Sequence, residues 1–244
     1  MKNPYVILGI ILAIVGAVLT PVFYFILSSI PLTAFGLSTI ILGLTCIALA
    51  NARPYISPEA SQTLLRTGME NTSALLEELG IQNRAVYLPS NLRNGHPQAI
   101  IPLDENADLS QIKDKMPGRL IVRYGPKADD MAIAVTTIGS INLEMLGNKP
   151  GPSADEIESS ITYITVGVLD IANGVRVNIT DSKINVEISG GKMRADNTWY
   201  YQSLGSPLAS ISAAIASEAL DKPVRILEEK HQNNKDIISL EVLA

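Results

Sequence analysis

The sequence predicts an α+β protein: an N-terminal transmembrane helical hairpin followed by a soluble domain of mainly antiparallel sheet with packed helices. Three observations lead there. Two apolar stretches, Tyr5 to Leu27 and Ile30 to Ala50, hold no charged side chain between Lys2 and Arg53. Beyond them, apolar residues alternate with polar ones on either side of short turns, the period of strands with one buried face. Between those strands lie segments with helical spacing and recognisable caps.

A bilayer core of about 30 Å needs roughly 20 apolar residues in a helix. Both stretches, about 5–27 and 30–50, reach that length, with Ser28 and Ser29 between them and Pro31 just beyond. The turn carries no Lys or Arg, whereas Lys2 and Arg53 flank the outer ends. The positive-inside rule then places both termini in the cytoplasm of a multi-pass protein of the cell membrane. Ala48-Leu49-Ala50 imitates a signal-peptide cleavage site but lies too far along, behind two hydrophobic segments. Pro21 removes a backbone donor and should kink the first helix. Gly9, Ala13 and Ala17, with Gly36 and Gly43, mark smooth sides for close packing in lipid, a dimer face among the uses. The expected domains are a two-helix anchor at 1–53 and a soluble α+β domain at 54–244.

In the soluble part, Ser57-Pro58-Glu59 is a helix start, and Leu64, Leu65, Met69, Leu75, Leu76 and Leu79 keep helical spacing until Gly80. Ala85 to Leu88 and Ala99 to Leu103 read as strands around a polar loop, Ser90 to Pro97. A helical turn near Leu109 to Lys115 precedes strands at Leu120 to Tyr124 and Met131 to Val135. Asn148-Lys149-Pro150-Gly151-Pro152 is the clearest break. Past it, Ser153 and Glu156 form a capping box for a helix with the stripe Ile157, Ile161, Ile164, Val168 and Ile171, ending near Asn173-Gly174.

Val175, Val177, Ile179 and Ile184, Val186, Ile188 then form a hairpin around Thr180-Asp181-Ser182-Lys183. Ser206-Pro207 opens a small-residue helix to Leu220, and strands follow at Val224 to Glu229 and Ile237 to Leu243. The halves 58–147 and 153–244 therefore read in one order, suggesting two αββαββ pseudo-repeats. Unrelated strand order in the two halves would end that idea.

All 24 acidic residues and 17 of the 19 basic ones follow Arg53, a formal charge of −7 on the soluble part. That argues against a nucleic-acid partner. The phenylalanines Phe23, Phe25 and Phe35 all sit in the anchor, so base-stacking platforms are not evident. Cys46, the only cysteine, allows no intramolecular disulfide and no thiolate metal cluster.

Candidate sites are few. Asp104, Asn106 and Asp108 imitate an EF-hand opening, but Leu109 and Lys115 stand where glycine and glutamate are required. His96 and His231 lack metal-ligand spacing, and no metal or cofactor is expected. Asp129-Asp130 and Glu228-Glu229 read as solvated surface. Ser203 and Ser206 have no sequence-evident base, so no catalytic residue is assigned; Ser206 brought against His231 would reopen hydrolase chemistry. Gly205 and Ser206 open a helix whose free N–H groups suit an anion or carbonyl, the candidate ligand site. Trp199, Tyr200 and Tyr201 form the one aromatic cluster, suited to a sheet-edge core or to an interface, and are the candidate interaction residues. Asn71 and Asn178 begin glycosylation sequons that a cytoplasmic domain would not use.

Ala85-Val86-Tyr87-Leu88-Pro89, Ile101-Pro102-Leu103, Leu204-Gly205-Ser206-Pro207-Leu208 and Lys222-Pro223-Val224-Arg225-Ile226 resemble uncharacterised archaeal membrane proteins with two N-terminal membrane helices. The resemblance implies an archaeal origin and a plasma-membrane location, and carries over no activity. Where such relatives place cysteines, this chain has Ser206 and Ala209, against a thiol or metal role. The C-terminal helix and strand pair is also loosely similar in topology to vinyl-reductase-type small-ligand domains.

The expected function is a membrane-anchored, non-enzymatic interaction or assembly module whose partners are the lipid bilayer and a protein or second copy. The alternative is a metabolite or lipid sensor with its pocket between the Ser206 helix and the C-terminal strands.

Overall fold

The computed structural model describes residues 4–51, 58–96, 98–104, 106–193 and 199–243. It is α+β, with two apolar helices followed by an antiparallel eight-stranded sheet and its packed helices. The chain forms two compact units, Met1–Arg66 and Thr67–Ala244.

In the first unit, α1 (Pro4–Pro21) and α2 (Ile30–Asn51) are each long and apolar enough to cross a membrane. Pro21 has no N–H to donate, and the helix passes there into a π turn, Val22–Ile26. Ser28, at φ 46°, reverses the chain. The glycines mark where the two helices touch. A Cβ on Gly43 would lie 2.6 Å from the Ala13 nitrogen, and one on Gly16 would lie 2.9 Å from the Gly36 oxygen. The smooth side thus serves the hairpin itself and runs through Gly9, Ala13, Gly16 and Thr20, while Ala17, expected on it, is exposed.

In the second unit the strands are β1 (Val86–Leu88), β2 (Gln98–Pro102), β3 (Ile121–Arg123), β4 (Met131–Val135), β5 (Gly174–Thr180), β6 (Lys183–Ser189), β7 (Val224–Gln232) and β8 (Lys235–Val242). They stand in the order β3-β4-β2-β1-β7-β8-β6-β5, with every neighbour antiparallel. Read along the sheet, the first half is repeated by the second with the same strand order, and equivalent strands run in the same direction. The pseudo-repeat expectation therefore holds for the strands.

It breaks down in the connections. Between β6 and β7 lies α7 (Pro207–Leu220), packed with α5 (Ala154–Thr162) on one side of the sheet. Between β2 and β3 the expected brief helical turn forms as a 3-10 turn, Leu109–Gln111, with no counterpart of α7. That segment lays Ile112 and Met116 against Val86, Leu88 and Ile100, on the other side. Both sides of β1, β2 and β4 are therefore covered, so β4, expected to alternate, is buried at Ala132, Ile133 and Ala134 alike.

Other departures have local causes. The α5 capping box forms as expected, with the Ser153 hydroxyl and Glu156 carboxylate satisfying each other's backbone N–H groups. Past Thr162 the helix widens into a π turn, Tyr163–Val168, which shifts the register, exposes Val168 and ends the helix there rather than at Asn173. Two short helices, α4 (Ile138–Leu143, capped by Thr137) and α6 (Trp199–Leu204), were not expected, being too brief to show a periodicity. The last hairpin is longer than expected because Asn233 and Asn234, at φ 50° and 62°, make a two-residue turn that keeps β7 and β8 paired to their ends. The helix read from the leucine spacing forms as α3 (Pro58–Glu78); Leu76 is buried, whereas Leu64, Leu65, Leu75 and Leu79 are exposed. Its Ser57 cap lies outside the described residues.

The sheet edges are protected. β3 is only three residues long, and on β5 the outward N–H of Val177 donates to the Glu158 carboxylate at 2.7 Å.

Gly139 of α4 crosses α7 so closely that a Cβ there would lie 2.1 Å from the Ser210 carbonyl oxygen. Gly139→Ala must push backbone apart, which costs roughly 1–3 kcal/mol and should lower the Tm of the full-length protein in detergent by roughly 3–10 °C. The Ser153 hydroxyl holds the Glu156 carboxyl below its usual range. A depressed carboxyl contributes stability above its unfolded pKa and loses it as pH falls through the folded value. Glu156→Gln is therefore expected to flatten the acid side of the Tm–pH curve, read by thermal unfolding from neutral pH downward.

Candidate functional site

Ser206 caps α7, its Oγ accepting the Ala209 N–H at 3.2 Å. Gly205 precedes it at φ 78°, and a Cβ there would lie 2.5 Å from Ile226 Cδ1. The local geometry of an anion-receiving helix start is thus present. The anion is internal: the Ser206 N–H donates to both oxygens of Glu229, each at 3.2 Å. Glu229 reaches this position because β7 bulges between Ile226 and Glu228, after which Glu229 stands opposite Ile238 on the α7 side. Its neighbour Glu228 turns to solvent and pairs with Lys230 at 2.8 Å. The adjacent acids point apart as expected, but Glu229 is half-buried rather than solvated. The sequence signal for it was available in the adjacent apolar pair Ile226-Leu227, which breaks the alternation where the bulge falls.

A cavity of about 270 Å³ beside this cap is lined by Ser206, Glu229, His231 and Asp236, between the helix start and the C-terminal strands. His231 Nδ1 lies 2.7 Å from Asp236 Oδ1. Ser206 and His231 therefore share one concavity, yet the hydroxyl is engaged as a cap, and no Ser206–His231 hydrogen bond exists among the described residues. A nucleophile–base pair is not assembled. Among the described residues no three His, Cys, Asp or Glu side chains gather where they could hold a metal ion.

Beneath the cap, Tyr87 is fully buried and donates its OH to the Leu204 carbonyl at 2.5 Å. Burial holds the phenol well above the ordinary tyrosine range, in its neutral donor form. In the aromatic cluster, Tyr200 packs against the main core, and burial raises its pKa as well. Tyr201 stands edge-on to it with centroids 5.5 Å apart and points its OH at Met69 Sδ, 3.9 Å away. These rings fasten α6 to the core and to α3; Trp199 is half-buried.

Other candidates resolve locally. The Asp104 and Asp108 carboxylates accept nearby backbone N–H groups, those of Asn106 and Ser110. Asp130, read as surface, is buried and accepts the Lys127 N–H at 2.8 Å. His96 is exposed.

The leucine face of α3 is left uncovered, as are Leu120 and Ile121 at the β3 edge. Leu64, Leu65, Leu75 and Leu79 are between 47% and 69% exposed, and a Cβ on Gly68 would meet nothing within 4 Å. Helical spacing sets Leu64, Gly68, Leu75 and Leu79 along one side, with Glu70 and Glu77 on the opposite side. Met69 and Leu76 turn a third side toward the sheet unit.

Glu229→Ala would leave the buried Ser206 N–H without an acceptor, at a cost of about 1–2 kcal/mol. The expected drop in Tm is roughly 2–6 °C, with Glu229→Gln losing less because its amide oxygen still accepts.

No curated protein and no solved structure matches the chain. Residues 5–240 match the family described as Domain of unknown function (DUF7982), and with nearly the whole length covered the chain belongs to that family.

Proposed function

We propose that the protein is a membrane-anchored assembly module in which α1 and α2 span the cell membrane and α3 of one copy pairs with α3 of a second. The uncovered leucine face carries this reading. A bilayer would hold all copies at one depth and orientation, so the same face of α3 is presented in register and at high effective concentration. Gly68 in the middle of the face permits close approach, and Glu70 and Glu77 lie away from the contact. Those acids also disfavour α3 lying on the lipid surface, where helices carry Lys and Arg on the polar side. Lys2 and Arg53 support a cytoplasmic domain, and the likeness to archaeal two-helix membrane proteins supports the location.

A second reading, small-ligand sensing, is favoured by the cavity of about 270 Å³ beside Ser206. It loses its strongest attraction because Glu229 already occupies the helix start.

The test is chemical cross-linking of the full-length protein in vesicles across a range of protein densities, together with the variant Leu75→Glu/Leu79→Glu. A density-dependent dimer is expected. In the variant the dissociation constant should rise about tenfold or more per leucine, while Tm at monomeric dilution stays nearly constant because both side chains are exposed in a single copy. A monomer at every density would sink the proposal.

A further inference from the structure

We propose that the second unit carries a binding site for a small phosphorylated molecule, held by Arg84 and Arg225. A cavity of about 280 Å³ opens where β7 runs on past the start of β1, with Gln82, Asn83, Arg84, Pro102, Leu109 and Arg225 in its wall. Its size suits a small ligand.

The two guanidinium groups are fixed before any ligand arrives. Arg84 Nη1 donates to the carbonyl oxygens of Leu227, at 3.1 Å, and Ile226, at 3.4 Å, the backbone of the β7 bulge. Arg225 gives Nε and Nη2 to Glu241 Oε2, at 3.2 and 2.6 Å. The loop wall is fixed too, because Asn83 Nδ2 donates to the carbonyl oxygens of Pro102 and Asp104 at 3.0 and 2.7 Å.

Arg84 Nε and Nη2 and Arg225 Nη1 remain without a protein acceptor among the described residues. Carbonyl oxygens hold Arg84 without cancelling its charge, so among the described residues that line the cavity Arg84 and Arg225 are the cations and Glu241 pairs with the second alone. Donors from two planar forks exceed what the two oxygens of a carboxylate accept and match the oxygens of a phosphate. Pro102 and Leu109 supply an apolar wall for the organic remainder. The bulge is then explained by use: it turns two backbone carbonyls onto Arg84 on one side of the strand and Glu229 onto Ser206 on the other.

Phosphate could arrive on a soluble metabolite or on a lipid headgroup, and two probes separate these sources. The full-length protein in neutral detergent is titrated with glycerol 3-phosphate and with dioctanoyl phosphatidic acid, against sodium chloride of equal ionic strength, following Tm and heat. A saturable rise in Tm with either probe is expected. Arg84→Gln, and separately Arg225→Gln/Glu241→Gln, which removes the ion pair as a unit, should weaken it at least tenfold with the unliganded Tm little changed. Tighter binding of glycerol 3-phosphate identifies a metabolite site, and tighter binding of the lipid a headgroup site. No saturable response, or a response unchanged in both variants, overturns the proposal. The cross-linking readout for α3 is independent of either result.

Discussion

Burial of α7 along nearly its whole length constrains everything around it. Residues Pro207 to Ala219 are all buried, so this helix has no solvent side on which to place polar or bulky groups. Its composition follows. Alanines and serines let neighbours approach to backbone distance, and each hydroxyl finds a partner nearby. Ser210 Oγ accepts the Gly139 N–H at 3.1 Å, Ser212 Oγ donates to the Leu208 carbonyl at 2.8 Å, and Ser217 Oγ lies 3.0 Å from the Tyr87 carbonyl. Ahead of the helix, Tyr87 anchors Leu204, two residues before the Ser206 cap, and Glu229 closes the N-terminus. The helix is therefore gripped from three elements by groups far apart in sequence.

What could be read in advance divides along that line of sequence distance. The apolar hairpin, the Ser153–Glu156 box, the β5–β6 turn and the Ser206-Pro207 start are local patterns, set by residues within a few positions of one another. Their chemistry is complete in the sequence. The departures need knowledge of what lies across the fold. No local pattern shows that the segment after β2 folds under the sheet rather than over it, or that Asp130 turns inward to cap its own turn. The candidate site was legible as a capped helix start, while its occupant, Glu229, was not, because a bulge decides which way that carboxylate faces. Likewise Arg84 and the carbonyls it holds are separated by more than half the chain.

α3 shows how one helix can meet two demands. Its Leu76 side is committed to the second unit's core, and its Leu75 and Leu79 side is left open. A helix with a single apolar stripe would need only one of these. The stripe on α3 is wider than its core contact requires, and a surplus of exposed leucine in one sector, opposite the acidic residues, is costly to keep unless something covers it.

The tandem strand order gives the sheet a direction. At its centre β1 meets β7, the first strand of one repeat against the third strand of the other, and the two outer edges, β5 and β3, are once more a first and a third strand. The molecule thus ends in unlike, mutually complementary edges, as a monomer does in chain-growth polymerisation. A self-complementary edge would stop at a pair; this arrangement has no geometric stopping point. Glu158, seated on the Val177 N–H, occupies a donor of the β5 edge that such edge-to-edge growth would need.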